Sequence, residues 1–543
     1  METTTCEAPK APGIDNLPEE VLEYILSKIS PYQDLHDCML VCKKWRRCVR
    51  NVTKTKRRDF QRAINEFDIK WSRSTPEENS PTISRRYSHT AVVSENSMFV
   101  FGGCTCAMTT FNDLWKLDLT TRNWVRPLTM GAYPSPKACS SLIKYKDFLV
   151  LFGGWTYPPS YPLYQSWHLF NELHVYDVTA NNWTCIISTE IRPPPVAGHS
   201  VSVVGDYMII FGGLQKPSSA VHCEKSNDIW KLHLDSWSWC KQEVQAGPKP
   251  SGRFGQTQVI LDEKNLLVLG GSGGPCSQFC DCWVLNMEGP LWKWIKVEIA
   301  GKNNEPANIW SNPGVKIGDK IVVLNRIRDT EESPIVYYPR SQWNTSAPED
   351  GRLSRIDLAN RRPDLDENVN GRRGFLNKVS SPRRDGHDED PAVPGPSGLN
   401  CLRIPHSPSQ APPPMAAFHT PPLLSPPQRN LKREKRLGKL QNMEEKLLKK
   451  TAPKKEKRTY YLGMYVLDIS KVLDRKNPVA TWLPPKNVKN GPEESILYTL
   501  VEGKGELVMF GGILKDANSL APCNLSSQIS NSLHFVSAND YVI

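Results

Sequence analysis

Five times along the chain an apolar run ends in a pair of glycines: VFGGC, LFGGW, IFGGL, VLGGS and, far downstream, MFGGI. The second glycines are Gly103, Gly154, Gly213, Gly271 and Gly512, and the first four are 51, 59 and 58 residues apart. Each run is short and strand-like, and no single layer of strands buries such a unit by itself. A period near 50 residues points to a β-propeller with one blade per repeat.

Other marks keep the same register. Downstream of the glycine pairs come NDLWKLD, NELHVYD, NDIWKLH and CDCWVLN, and six residues after Asp118, Asp177, His233 and Asn286 stand Trp124, Trp183, Trp239 and Trp292. Upstream, His89, Cys139, His199 and Gln256 precede the second glycine by 14 or 15 residues and open alternating segments such as HTAVV and HSVSVV. Alternation with period two is that of a half-buried strand, so each unit reads as four strands, A to D.

The same ruler finds two more units. Trp310 begins a fifth, in which Leu324 and Asn325 replace the glycine pair. It breaks off there and resumes at YYLGMYVLD (460 to 468) and Trp482. A sixth runs from Tyr498 through Gly512 to NSLHFV but has no tryptophan for an outer strand. Trp71 in FDIKWS lies 18 residues before His89, the distance of a D strand from the next A strand. The expectation is a mainly β, six-bladed propeller whose last blade is closed by the strand at Trp71, which removes an open sheet edge.

The glycine pairs, the ND-x-W strand and the spaced tryptophans resemble the kelch family of β-propellers, over about residues 66 to 543 apart from the insertion. Ahead of them, LPEEVLEYILSKI (17 to 29) puts its apolar residues on one helical stripe, and a second helix is expected in DLHDCMLVCKKWRR after Pro31. Some 35 residues enclose too little surface to stand alone, so part of the apolar face is expected to meet another chain or the rest of this one. This stretch resembles an F-box, in its Leu17-Pro18, its apolar pairs Val21-Leu22 and Ile25-Leu26, its Asp34-Leu35, and its closing Val41-Cys42-x-x-Trp45. The resemblance implies that Leu17, Pro18, Val21, Leu22, Ile25, Leu26, Leu35, Val41, Cys42 and Trp45 dock on the Skp adaptor of a cullin-RING ubiquitin ligase. The propeller would then hold a protein substrate.

The expected organisation is a disordered N-terminus at 1–13, the F-box at 14–46 and a helical linker at 47–66. The propeller follows at 67–344 and 459–543, around a disordered Pro-rich and basic insertion at 345–458. That insertion has 13 prolines between Ser381 and Asn430, several Ser-Pro and Thr-Pro dipeptides, and a basic helix at 431–458 suited to nuclear targeting. Net charge is +11, but much of the excess lies in residues 43–62 and 429–458, so a nucleic-acid partner is not expected. No run of 18 apolar residues is present, so no membrane partner is expected either. The start METTTCEAPKAPG lacks the order of a secretory leader, and the 15 cysteines then read as thiols of an intracellular protein, in nucleus or cytoplasm.

No catalytic residue, cofactor or metal is expected. CSQFCDC (276 to 282) lacks zinc-knuckle spacing, and GSGG (271 to 274) lacks the lysine of a phosphate loop. The chain would act by positioning, which is worth on the order of 7 to 11 kcal/mol when geometry is good. Substrate is expected at the face of the B–C and D–A loops. There Trp155, Tyr157, Tyr161, Tyr164 and Trp167 crowd one loop, and Arg86 and Arg253 stand at equivalent places, where they either read an acidic segment or only brace the D–A turns. The alternative is a kelch scaffold or adaptor without a ligase role.

Overall fold

A computed structural model describes residues 13–75, 80–105, 109–157, 168–187, 191–216, 223–274, 277–327, 460–486, 491–514 and 528–539. The expected insertion, with its Ser-Pro dipeptides and basic helix, lies outside these residues.

Among the described residues, the main antiparallel pairings group the strands in sets of four, the fourth and fifth sets being merged into one eight-stranded sheet by parallel pairing of Lys293–Ala300 with Val479–Trp482. The first set is Thr90–Ser94, Ser97–Phe101, Leu114–Asp118 and Trp124–Val125. The second, third and fourth open at Ser141–Tyr145, Ser200–Val204 and Thr257–Ile260. The fifth runs Gly314–Ile317, Lys320–Arg326, Leu462–Lys471 and Val479–Trp482, so its third strand does resume beyond the insertion. B strands such as Phe148–Phe152 and Glu506–Phe510 are buried almost throughout, because a sheet covers each of their faces.

One residue ahead of each A strand's marker residue lies in the left-handed region: Ser88, Cys139, Gly198, Gly255, Ser311 and Leu497, with φ between 50° and 66°. Their amides form a closed cycle in which each N–H donates to the preceding carbonyl. Ser88 donates to Leu497, Cys139 to Ser88, Gly198 to Cys139, Gly255 to Gly198, Ser311 to Gly255 and Leu497 to Ser311, at 2.8 to 3.3 Å. The cycle marks one end of the inner strands and fixes their order around a centre.

The glycine pairs are explained at the same end. A Cβ on the second glycine would meet the marker of its own set: Gly103 meets His89 at 2.8 Å, Gly213 meets His199 at 2.9 Å and Gly512 meets Tyr498 at 3.0 Å. Gly154 meets the Cβ of Ser140 at 3.0 Å, so Ser140 and not Cys139 is the second set's marker. Cys139 is that set's left-handed residue, and counting missed this because the interval slips by one.

Markers also latch neighbouring sets together. His199 Nε2 bonds Ser141 Oγ at 3.0 Å, Gln256 Nε2 donates to Ser200 Oγ at 3.0 Å, and His89 Nε2 bonds Thr499 Oγ1 at 2.9 Å. The last of these joins the first set to the sixth with the same latch used elsewhere. The outer strand of that sixth set comes from the other end of the chain. Ile69–Ser74 pairs antiparallel with Leu533–Ala538, and Trp71 faces Val536. Trp71 thereby takes the rung occupied by Trp124 opposite Leu117, Trp183 opposite Tyr176, Trp239 opposite Leu232 and Trp482 opposite Leu467. In the fourth set Trp294, not Trp292, holds that rung, opposite Leu285. Trp71 is only half-buried, unlike Trp124 and Trp183, because it packs on the rim of its cluster.

Burial sets a pH dependence. It holds His89 and His199 down to about 3, His89 also feeling Arg86, and holds His174 and His534 down to about 4 with Lys137 and Arg73 adding to the effect. These groups are neutral when folded but titrate near 6.5 when unfolded, so the unfolded chain binds more protons between those values. Stability is therefore present above about pH 6.5 and is lost as pH falls toward 4 and below. Thermal melting across that range should show the decline. His199→Gln, which copies the Gln256 latch, should flatten it, and an unchanged slope would contradict the assignment.

Candidate functional site

Three helices precede the ring: α1 (Glu19–Ser27), α2 (Gln33–Val41) and α3 (Lys43–Glu66). The single second helix expected after Pro31 is split at Cys42, whose extended backbone (φ −159°, ψ 174°) ends α2 and whose Sγ accepts from the Trp45 amide to cap α3. The expected linker is the continuation of α3, which ends at Phe67 in the left-handed conformation, with Asp68 N–H donating to Ala63 O.

The helical stripe divides in two. Leu22, Leu26 and Leu35 are fully buried with Cys48, Val49 and Val52, so these three hold the hairpin together and are not available to a partner as the sequence reading had them. Pro18, Val21, Ile25, Val41 and Cys42 are exposed, and Leu17 and Trp45 are half-buried. Val21 is 42%, Ile25 41%, Val41 59% and Leu40 64% exposed, which is far more than a packed helical pair leaves open. Leu40, Tyr24 and Ile14 are exposed as well and fall outside the paired apolar pattern of the sequence.

Two anchors fix the helices to the ring. Phe60, Ala63 and Ile64 of α3 share a core with Val322, Met464, Leu507 and Val536, in the seam between the fifth and sixth sets. Tyr32, just before α2, enters the seam between the sixth and first sets beside Met98, Trp124 and Phe510. Its Oη donates to Glu506 Oε1 at 2.7 Å and accepts from Lys504 N–H at 3.2 Å, while Arg122 pairs with the other Glu506 oxygen at 3.0 Å. Burial, followed by the Glu506 charge, pushes the phenol far above its ordinary range. Its only trace in the sequence is an aromatic in a helix break. Tyr32→Phe should lower stability by about 1 to 3 kcal/mol, since it strips a buried carboxylate of a donor. Urea unfolding of the full chain measures this, and a change within error would contradict the anchor.

The anchors place the helices at a definite end. Gln33 N–H donates to Thr120 Oγ1 at 3.2 Å, Asn96 Nδ2 donates to Gln33 Oε1 at 2.8 Å, and Gly318 lies against Gln61. Asn96, Lys504 and Gly318 lie in A–B turns, and Thr120 in a C–D turn. Each A strand runs from the amide cycle to its A–B turn, so the helices occupy the face opposite the glycine pairs.

On the glycine-pair face the arginines are not free. Arg86 is fully buried; its guanidinium donates to Asp113 Oδ1 at 2.7 Å, Asp113 Oδ2 at 2.9 Å and Gly102 O at 3.0 Å, and lies 4.4 Å from the centre of the Phe111 ring. Arg253 repeats this with Asp281, Gly270 O and Phe279, and Lys137 with Glu172 and Phe170. Burial raises the Asp113 carboxyl, but the Arg86 hydrogen bonds and charge prevail and hold it below its usual range. These cations brace the D–A and B–C loops and cannot also read an acidic segment. Trp155 is likewise buried, with Tyr87 and Ala138, because its backbone bridges Ala138 behind the glycine pair. Tyr157 is half-buried at the rim, and Tyr161, Tyr164 and Trp167 lie outside the described residues.

Among the described residues no cluster of His, Cys, Asp and Glu could hold a metal ion, and no helix is long and apolar enough to cross a membrane.

Comparison with known proteins agrees with this architecture. Residues 14–61 match the family model described as F-box-like, and residues 86–312 match the one described as FBX42, beta-propeller domain. The chain thus pairs an F-box-like segment with a propeller segment, and resembles F-box and kelch-repeat proteins. Within that class it resembles F-box only protein 42, through the propeller match. Acyl-CoA-binding domain-containing protein 4 of Arabidopsis thaliana is 27% identical over 294 residues, 52% of this chain and 41% of that protein. Kelch domain-containing protein 1 of Mus musculus is 28% identical over 218 residues, 37% of this chain and 52% of that protein. The chain thus spans about half the length of these relatives or less. A solved structure titled Structure of YjhT covers 45% of this chain and 73% of its own at 17% identity, with a TM-score of 0.36.

Proposed function

We propose that this chain is the non-catalytic substrate-recognition subunit of a Skp-cullin-F-box ubiquitin ligase, with a six-bladed ring as its receptor. The observation that carries the reading is the exposed patch of Val21, Ile25, Leu40 and Val41 on an otherwise well-packed helical module. Transfer of apolar surface from water contributes roughly 1.5 to 3 kcal/mol for each such side chain fully covered, enough together to hold a partner. The module is fixed to one face of the ring, and the glycine-pair face, with Tyr157 at its rim, looks the other way. A protein held there would be presented at a set distance from whatever docks on the helices.

Reconstitution tests this. The full chain with the Skp adaptor, a cullin-RING catalytic arm and charged ubiquitin should conjugate proteins that bind the ring. The Ile25→Asp, Val41→Asp double variant should bind those proteins equally but conjugate none. Equal conjugation by both chains would remove the receptor reading and favour a scaffold.

A further inference from the structure

The F-box patch is bordered by a charged feature it does not explain. Lys43, Arg47, Arg50, Lys54, Arg57 and Arg58 recur along α3 at spacings of three and four, and all six are exposed. They lie opposite the face that buries Cys48, Val49, Val52, Phe60, Ala63 and Ile64. At 1.5 Å per residue the ridge is roughly 22 Å long. A solvated helix face ordinarily mixes signs, because like charges three and four apart repel by a few tenths of a kcal/mol each. Here Arg47 meets Glu19 of α1, while among the described residues no carboxylate pairs with Lys43, Arg50 or Lys54. The ridge starts one residue after Cys42, where the exposed patch of Leu40 and Val41 ends. A body docked on that patch extends over it.

We propose that this ridge receives an acidic surface of the same adaptor that docks on the patch, and that it speeds the adaptor's arrival. The proposal rests on the F-box reading above. An acidic protein fits better than a nucleic acid. The ridge carries no exposed aromatic on which bases could stack. Long-range attraction of this kind acts mainly on association and is screened by salt.

The test uses the full chain and purified Skp adaptor, with association and dissociation followed at low and high salt. Lys43→Gln, Arg50→Gln, Lys54→Gln alters three exposed side chains and should slow association about tenfold at low salt. The difference should vanish at high salt, with dissociation unchanged. Equal association at low salt, with adaptor binding intact, overturns the ridge and leaves the docking patch standing. Failure of the unaltered chain to bind adaptor overturns both. Loss of binding to a short DNA duplex with unchanged adaptor association overturns the proposal in favour of a nucleic-acid surface.

Discussion

A chain that begins at residue 76 is expected not to fold cooperatively, whereas one that begins at residue 59, without the F-box patch, should keep most of the ring's stability. The strand Ile69–Ser74 supplies six rungs to Leu533–Ala538, and without it the buried Phe535 and Val536 lie on an open edge. Phe60, Ile64, Phe67 and Ile69 also leave a core in which all four are buried. Each large side chain removed from a packed interior costs about 2 to 5 kcal/mol, and the sum reaches the whole stability of a typical domain, about 5 to 15 kcal/mol. Trp71→Ala alone should cost less than a fully buried tryptophan would, since Trp71 sits at the rim. Calorimetry of the two truncations is the check, and a sharp, unshifted transition in the chain from 76 would contradict closure by the N-terminal strand.

The second large effect is expected at Arg86. Arg86→Ala leaves Asp113, only 12% exposed in its side chain, as an unpaired carboxylate beside Gly102 O and Trp115. Breaking a buried pair from one side costs about 3 to 5 kcal/mol. Arg86→Lys should recover little, because one ammonium cannot replace the bidentate fork that spans both Asp113 oxygens. Denaturant unfolding measures both variants. If Arg86→Ala melts like the unaltered chain but loses a bound protein, Arg86 reads substrate after all and its bracing role is refuted.

Trp71 and Arg86 stand on either side of what the sequence makes legible. Glycine pairs, marker residues and tryptophans were legible because each answers a constraint that repeats: a Cβ cannot fit beside the marker, and one rung of each sheet needs a large flat side chain. Even Trp71 was found, since the rung recurs at a distance that can be counted. What repeats with small shifts was misplaced by a residue or two, as at Cys139 and Trp292, where the chain takes up slack in a turn. For Arg86 and Arg253 the sequence leaves bracing and substrate reading open, because spacing locates a residue on a loop but does not say that Asp113 and Asp281 lie within reach of it. The same limit applied to Leu22, Leu26 and Leu35. A helical stripe reports which side is apolar, and only packing against Cys48, Val49 and Val52 divides it into core and free surface. Tyr32 was invisible because its partner Glu506 is 474 residues away and belongs to no repeat mark.

The most direct measurement is a calorimetric titration of purified Skp adaptor into the full chain and into its Ile25→Asp, Val41→Asp variant. The unaltered chain is expected to bind one adaptor per chain, with a negative heat-capacity change from apolar burial. The variant, melting at the same temperature because both side chains are exposed, should bind none. Equal binding by the two chains, or no binding by either, would contradict the assignment of this surface and with it the reading of the chain as a ligase receptor.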